Sequence, residues 1–525
     1  MLLLVRIFVL VAYIAEATVT VVSSVYALEH VVTPRCTNYS DCTAELQAVL
    51  SSAASVVDVL PLPDGRPWVV RPLYLLRNHT TVIFRPGVHV QAKRGSYHGI
   101  TDCLINIWNV HNVTVIANGA RFSMWKDDYT NASIYQPAQW RHAFWISGNM
   151  DATHAPWHGN VPARGPCSDI TIEGGEVSAT GGDAVEVECD RVVVRGMHAY
   201  NNYRQGISVL GAVDSLFEDC MFVNTSGHAP GSGLQIEPWH FENIVQNVTI
   251  RRCHAYNNHG NGFVVALGAL NGSSLPTSVR IEDCTVGGAK TVAGLAVTSP
   301  DPFVRGTVTV NNLVVTGTGC YGALIYNHAA GRNHTVSIHN STFADVALPS
   351  TCKASNEPSP INIGYVSWQP PPPGRIGGIE IKQTYVHDTL NRPFLLESTA
   401  GTEYKALPHG IEDISVNITR SGPFARSQGC SYSLQSDAIA HDVRISCRIA
   451  DTQSGWSERS PLPVYHRVIK ADDNEAVCDV RTFGAKGDGH TLDTVSINAA
   501  IASAACANRR IVLPAGGIFR SGTYE

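Results

Sequence analysis

The stretch Asp183-Ala-Val-Glu-Val-Glu188 returns in altered form as Gln205-Gly-Ile-Ser-Val209 and again as Ser232-Gly-Leu-Gln-Ile-Glu237. Each copy alternates apolar and polar residues. In an extended strand Val185 and Val187 point to one side, and Glu186 and Glu188 to the other. The same short strand recurs as Gly262-Phe-Val-Val, Gly294-Leu-Ala-Val and Gly322-Ala-Leu-Ile. Between these lie companion strands: Asp169-Ile-Thr-Ile, Arg191-Val-Val-Val, Ser215-Leu-Phe-Glu, Asn247-Val-Thr-Ile, Ser278-Val-Arg-Ile, Thr307-Val-Thr-Val and Thr335-Val-Ser-Ile. The spacing between units is roughly 22 to 32 residues, within the range of repeat architectures.

One such strand pair cannot bury its apolar side alone. Coiling the chain and stacking the turns buries a continuous core, with each strand bonded to its equivalents above and below. The repeats therefore predict an all-β fold, a right-handed parallel β-helix (a solenoid). A β-sandwich would not repeat one strand–turn–Gly–strand unit in register so often. Cys220, Cys253 and Cys284 take one place in successive units and are expected as an internal stack of small side chains, not as bridges. Asn202, Asn224 and Asn258 are expected at the bends, where amides satisfy turn backbone. Thr43 to Ala54 reads as a short N-terminal helix with Leu46, Val49 and Leu50 on one face, capping the open end of the solenoid.

The 525 residues are 44% hydrophobic, enough for a large core, and the net charge of −6 comes with no basic block. A nucleic-acid partner is not expected. Residues 1–27 carry Arg6, an apolar run and small-residue cleavage sites at Ala17 and Ala27, which reads as a secretion signal. Glu16 interrupts the run, so a membrane anchor is not expected. Ten Asn-X-Ser/Thr sequons, at Asn38, Asn78, Asn112, Asn131, Asn224, Asn247, Asn271, Asn333, Asn340 and Asn417, fit a secreted glycoprotein. The 14 cysteines fit an oxidising compartment, with Cys36–Cys42 and Cys430–Cys447 close enough in sequence for local bridges. The expected organisation is a signal over 1–27, the β-helix over 28–425, a linker over 426–475 and, over 476–525, the truncated start of a second β-helix domain. The expected working form is a monomer.

The order of helix, Leu60-Pro-Leu-Pro63 strand and Arg85-Pro-Gly-Val88, followed by stacked turns, resembles the pectate-lyase-like β-helix superfamily. Phe483-Gly-Ala-Lys-Gly-Asp-Gly489, followed by Leu492-Asp-Thr and Ile511-Val-Leu-Pro-Ala-Gly516, resembles the opening of a polygalacturonase or rhamnogalacturonase-type domain. The series Trp140-Arg-His142, Gly181-Gly-Asp183, Arg204-Gln-Gly-Ile207 and Gly233-Leu-Gln-Ile-Glu-Pro238 is similar to one carried by other β-helix proteins. These resemblances imply the fold and a pectin-like polysaccharide partner. The polygalacturonase series Asn-Thr-Asp, Asp-Asp, Gly-His, Arg-Ile-Lys is not present in order, so that activity does not transfer by motif.

The repeats supply a register for candidate chemistry. His142, Asp183, Gln205 and Ser232 form one column, preceded by Arg141, Gly182, Arg204 and Gly231. Two outward columns read Trp145, Glu186, Ser208, Gln235 and then Ser147, Glu188, Leu210, Glu237. Ionisable groups concentrate in these four units, while later units carry Val264, Ala266, Ala296 and Thr298. Glycoside hydrolysis needs two carboxyl groups in different protonation states. The expected catalytic set is Asp183, Glu188 and Glu237, with His142 as proton partner. Arg141, Arg204, Gln205 and Glu186 are expected to bind substrate, with Trp157, Trp239 and His240 as cleft walls. A secreted glycoside hydrolase acting on an acidic polysaccharide is the leading expectation. A polysaccharide lyase or a non-catalytic glycan-binding solenoid are the alternatives. Without CxxC or HExxH spacing no metal site is expected, and no cofactor, except Ca²⁺ under the lyase reading.

Overall fold

The structure is a computed structural model. It describes residues 31–148, 166–329, 333–346, 352, 358–365, 375–387, 394–396, 410–422, 432–434, 439–450, 477–492, 496, 499, 510–512 and 518–520. The expected signal over 1–27 and the candidate wall Trp157 lie outside the described residues. The chain divides into two units, Met1–Gly455 and Trp456–Glu525.

The first unit is a right-handed parallel β-helix. Its strands stack in three parallel ladders. One runs through Ser168–Ser178, Asp190–Arg195, Val245–Arg251 and Thr277–Glu282. A second runs through His198–Tyr200, Met221–Val223, His254–Tyr256 and Thr285–Gly287. The third contains β1 (Phe144–Ser147), β2 (Val185–Glu188), β3 (Ile207–Glu218) and β4 (Leu234–Ile236). It continues through Phe263–Ala266, Ala293–Thr298 and Tyr321–Tyr326. β3 bends within its length, so its first residues serve the third ladder and its last residues the first.

Stacking places like over like inside the coil. Val185 lies between Phe144 and Ile207, all fully buried. Cys220, Cys253 and Cys284 are unbridged and fully buried, flanked in the same column by Met197. Burial pushes the Cys253 thiol well above its ordinary pKa. The bridges lie elsewhere, at Cys36–Cys42, Cys167–Cys189 and Cys320–Cys352. Cys447 is bridged too, and its expected partner Cys430 lies outside the described residues.

The expected asparagine series merges two neighbouring columns. Asn201, Asn224 and Asn257 stack at left-handed backbone positions, with φ of 53°, 54° and 53°. Asparagine tolerates this region better than most residues because its short amide bonds locally. Asn202 and Asn258, one residue later, are fully buried, and Asn258 bonds Thr225 N and Phe222 O at 3.0 Å each.

Helix α1 (Thr43–Leu50) ends four residues before the expected Ala54, with Leu46 and Leu50 buried. It covers the edge of strand Leu73–Leu75. There Gln47 substitutes for a missing strand: its Oε1 accepts from Tyr74 N and its Nε2 donates to Tyr74 O, both at 2.8 Å. The parallel ladder also passes the expected boundary at 425, since Tyr432–Leu434 pairs with Phe394–Leu396 and Ile439–Ile449 with Gly410–Ser421. In the second unit Val477–Asp479 pairs in parallel with Arg510–Val512, and Asp488–Leu492 with Ile518–Arg520.

Two outcomes follow from this packing. Cys220, Cys253 and Cys284 will resist iodoacetamide in the folded protein and react once it is unfolded, as peptide mass mapping will show. Glu218 contacts Arg195, Arg251 and Arg252. Burial would raise its pKa, but bonds from Arg251, Arg195 and Arg252 outweigh that and hold the carboxyl down at about 2. Its stabilisation is therefore complete above the unfolded value of about 4.3 and is lost as the pH falls toward the folded value. Glu218→Gln will lower the melting temperature at neutral pH and flatten its decline in acid.

Candidate functional site

The third ladder holds the expected register through Val209. Glu186 lies opposite Trp145 and Ser208, and Ser208 opposite Gln235. A bulge then intervenes, and Glu188 pairs with Ser147 and Gly211, not with Leu210. Leu210 therefore leaves the expected column.

Arg204 is the centre of the polar cluster. Its Nη1 donates to Asp183 Oδ2 at 3.1 Å and to Ser208 Oγ at 2.9 Å, while its Nη2 donates to Glu237 Oε1 at 2.5 Å. Ser208 Oγ is 2.9 Å from Asp183 Oδ2 and 3.0 Å from Glu237 Oε1. Glu237 also accepts from Gln205 Nε2 at 2.9 Å and Gln235 Nε2 at 2.8 Å. His142 Nδ1 accepts from the Asp183 backbone N–H at 2.9 Å and lies 3.4 Å from Asp183 Oδ2. His142 Nε2 stands 2.9 Å from Glu186 Oε2.

The expected open acidic face is largely covered: Asp183, His142, Gln205 and Ser208 are fully buried, and Glu186 is 3% exposed. Glu188 is only partly buried. Beside it, the turn after Glu237 folds back. Trp239 N and His240 N both donate to Asn243 Oδ1, and Asn243 Nδ2 donates to Glu188 Oε1 at 2.9 Å. Trp239 and His240 thus flank the cluster on a loop tied to Glu188, and His240 is exposed.

Arg141 does not join the cluster, contrary to its expected role with substrate. It is fully buried, and its guanidinium donates to the carbonyls of Tyr97, His98 and Gln136. Tyr129 and Tyr135 flank the same group. Its work is to hold the segment before β1. Arg204 is likewise committed internally, to Asp183 and Glu237. Residues without an assigned role in the sequence reading complete the site. Ser208 and Gln235, expected in the outward column, bond Asp183 and Glu237 in the fold. Cys103, fully buried, receives the His142 N–H at 3.3 Å and had no motif to mark it.

Four carboxyl groups (Asp183, Glu186, Glu188, Glu237) thus surround one guanidinium and one imidazole. Burial would lower the Arg204 pKa, but Asp183 and Glu237 outweigh it and raise it. Burial opposes charge on His142 also, and Glu186, by charge and contact, with Asp183, raises its pKa above the ordinary value. Burial raises the Glu237 carboxyl despite Arg204. Burial and then the Glu186 charge raise Glu188. His142, Asp183 and Glu186 are the described residues able to hold a metal ion together.

Residues 163–303 match the family model described as "Right handed beta helix region". No curated protein matches the chain in sequence. Among solved structures, it is similar to the mannuronan C-5 epimerase AlgE6 A-module of Azotobacter vinelandii, with 14% identity over 78% of this chain and 94% of that one and a TM-score of 0.49. The polygalacturonase of Erwinia carotovora ssp. carotovora has 13% identity over 80% and 96%, with a TM-score of 0.42. The Streptococcus pneumoniae surface protein and adhesin PfbA has 8% identity over 80% and 97%, with a TM-score of 0.44.

Replacing Arg204 by Met leaves Asp183 and Glu237 buried without their cation. The expected loss, read from urea unfolding, is about 3–5 kcal/mol, the usual cost of breaking a buried ion pair from one side.

Proposed function

We propose that this chain, whose described residues form a right-handed parallel β-helix over most of their length, is a secreted enzyme that hydrolyses glycosidic bonds in an acidic polysaccharide. The observation that carries the reading is the convergence of Asp183, Glu186, Glu188 and Glu237 on one patch of the third ladder. The same outward column further along is bland, with Val264, Ala296 and Leu324 at successive rungs.

Hydrolysis needs a carboxyl group that keeps its proton until it meets the leaving oxygen. Glu188 suits that role. It sits at the partly exposed rim of the cluster, and burial and Glu186 raise its pKa. Glu186 is two residues earlier on the same face, roughly 7 Å along the backbone of the strand, with its carboxyl group turned to His142 and that of Glu188 to Asn243. Asp183, Glu186 and His142 form the water-activating side. Arg204 and Ser208 hold Asp183 in place, and Trp239 and His240 offer a wall for a sugar ring.

A lyase would need a basic group to abstract the proton beside a uronate. Arg204 does not suit that task, because Asp183 and Glu237 hold its proton firmly.

The test is the release of reducing ends from a panel of pectic and other acidic polysaccharides. Glu188→Gln is expected to lower turnover by roughly 10²–10⁴-fold, the usual worth of a positioned general acid. In the parent protein activity will fall as the pH rises through the Glu188 pKa. Ultraviolet absorbance from an unsaturated uronide would replace this reading by a lyase, and binding without cleavage would replace it by a glycan receptor. Unchanged turnover in Glu188→Gln would move the acid elsewhere.

A further inference from the structure

At the inner end of the cluster one donor atom each from His142, Asp183 and Glu186 lies within 4.8 Å of the others. His142 Nε2, Asp183 Oδ1 and Glu186 Oε2 have no hydrogen-bond partner, although the three residues are 0%, 0% and 3% exposed. Nε2 and Oε2 approach to 2.9 Å but are not aligned as donor and acceptor. A buried polar atom without a partner calls for an explanation, a bound ion being one, and here three of them come from residues that share one cluster. Two ligands on one ion, with bonds of about 2.0–2.2 Å, stand about 3 Å apart when they meet at right angles and about 3.4 Å apart in the tetrahedron usual for Zn²⁺. The 2.9 Å between the histidine and glutamate atoms lies near these spacings, a small opening of the pair short of the tetrahedral one. The local charge points the same way: the Arg204 guanidinium is spent on Asp183 Oδ2, Ser208 Oγ and Glu237. Beyond Arg204, the imidazole of His142 is the partner beside Asp183 and Glu186, and Asp183 Oδ1 and Glu186 Oε2 keep no hydrogen-bond partner.

We infer that His142, Asp183 and Glu186 bind one divalent transition-metal ion, Zn²⁺ or Mn²⁺. An imidazole with two carboxylates suits these ions. Ca²⁺ prefers six to eight oxygen ligands, which this set does not supply. Metal on Nε2 requires the ring proton to sit on Nδ1. Asp183 Oδ2, 3.4 Å away, is then its acceptor, and the Asp183 amide gives up its present bond to that nitrogen. The ligands come from two different rungs, so no local spacing motif announces them. The inference stands apart from the hydrolase reading, since it concerns occupancy and not turnover. Where both hold, the ion takes over water activation from the free Glu186 carboxylate.

The test uses the full-length protein, stripped with a chelator, dialysed and incubated separately with Zn²⁺, Mn²⁺ and Ca²⁺, with bound metal measured by mass spectrometry after equilibrium dialysis. The expected result is one Zn²⁺ or Mn²⁺ per chain, no Ca²⁺ at the same concentration, and a rise in melting temperature on loading. Glu186→Gln, nearly isosteric, should weaken binding at least tenfold. His339→Ala, a partly exposed histidine elsewhere on the coil, should leave it unchanged and so separates the site from adventitious surface binding. The inference is overturned if the parent protein binds no stoichiometric Zn²⁺ or Mn²⁺. It also fails if folded Glu186→Gln and Asp183→Asn bind as the parent does, or if Ca²⁺ binds in preference to both ions.

Discussion

Parallel stacking in register is the constraint on which this molecule depends. Each strand is bonded on both sides by its own equivalents, about 4.8 Å away. An outward side chain therefore meets the side chains at the same place in the coils above and below. Glu186 lies between Trp145 and Ser208, and Ser208 between Glu186 and Gln235. The interior obeys the same rule, which is why cysteines and methionine can stack as plain apolar filling. A site in such a fold is assembled across coils, and a single bulge is enough to displace a neighbour from it. The bulge at Gly211 does this to Leu210 and leaves Glu188 facing Ser147 and Asn243.

The second organising feature is electrostatic. Burying several carboxyl groups is costly unless each finds a positive or hydrogen-bonding partner. Arg204 answers for Asp183 and Glu237, with Ser208, Gln205 and Gln235 completing their shells. Glu186 has the His142 imidazole beside it, yet its Oε2 and the second oxygen of Asp183 have no hydrogen-bond partner. The patch thus sets carboxylates tied to Arg204 beside a His142–Asp183–Glu186 group that keeps unpartnered atoms. Such asymmetry is how a rigid scaffold holds reactive groups at perturbed proton affinities.

Arg141 and Arg204 illustrate how differently like residues are used. Both precede a strand of the third ladder and occupy equivalent places in the repeat. One turns to backbone carbonyls beside two tyrosines, and the other to two carboxylates. The difference lies in what the neighbouring segment presents, carbonyls of residues 97–136 in one case and the next rungs in the other. Repeat position predicts which coil a residue belongs to, but not the partner toward which its side chain turns.

Period-2 alternation and its recurrence were sufficient, from the sequence alone, to read the parallel coil, the cysteine stack and the alignment of Glu186 with Ser208 and Gln235, and the helical spacing of Leu46, Val49 and Leu50 to read the capping helix. These are local or nearest-neighbour properties, and backbone hydrogen bonding propagates them from one turn to the next. Burial of the acidic face, the bulge beyond Val209, the closing bond from Asn243 to Glu188 and the convergence of His142 with Asp183 and Glu186 were decided only by the tertiary structure. They depend on loop paths and side-chain directions set by packing between distant segments, for which no periodic pattern exists in the chain.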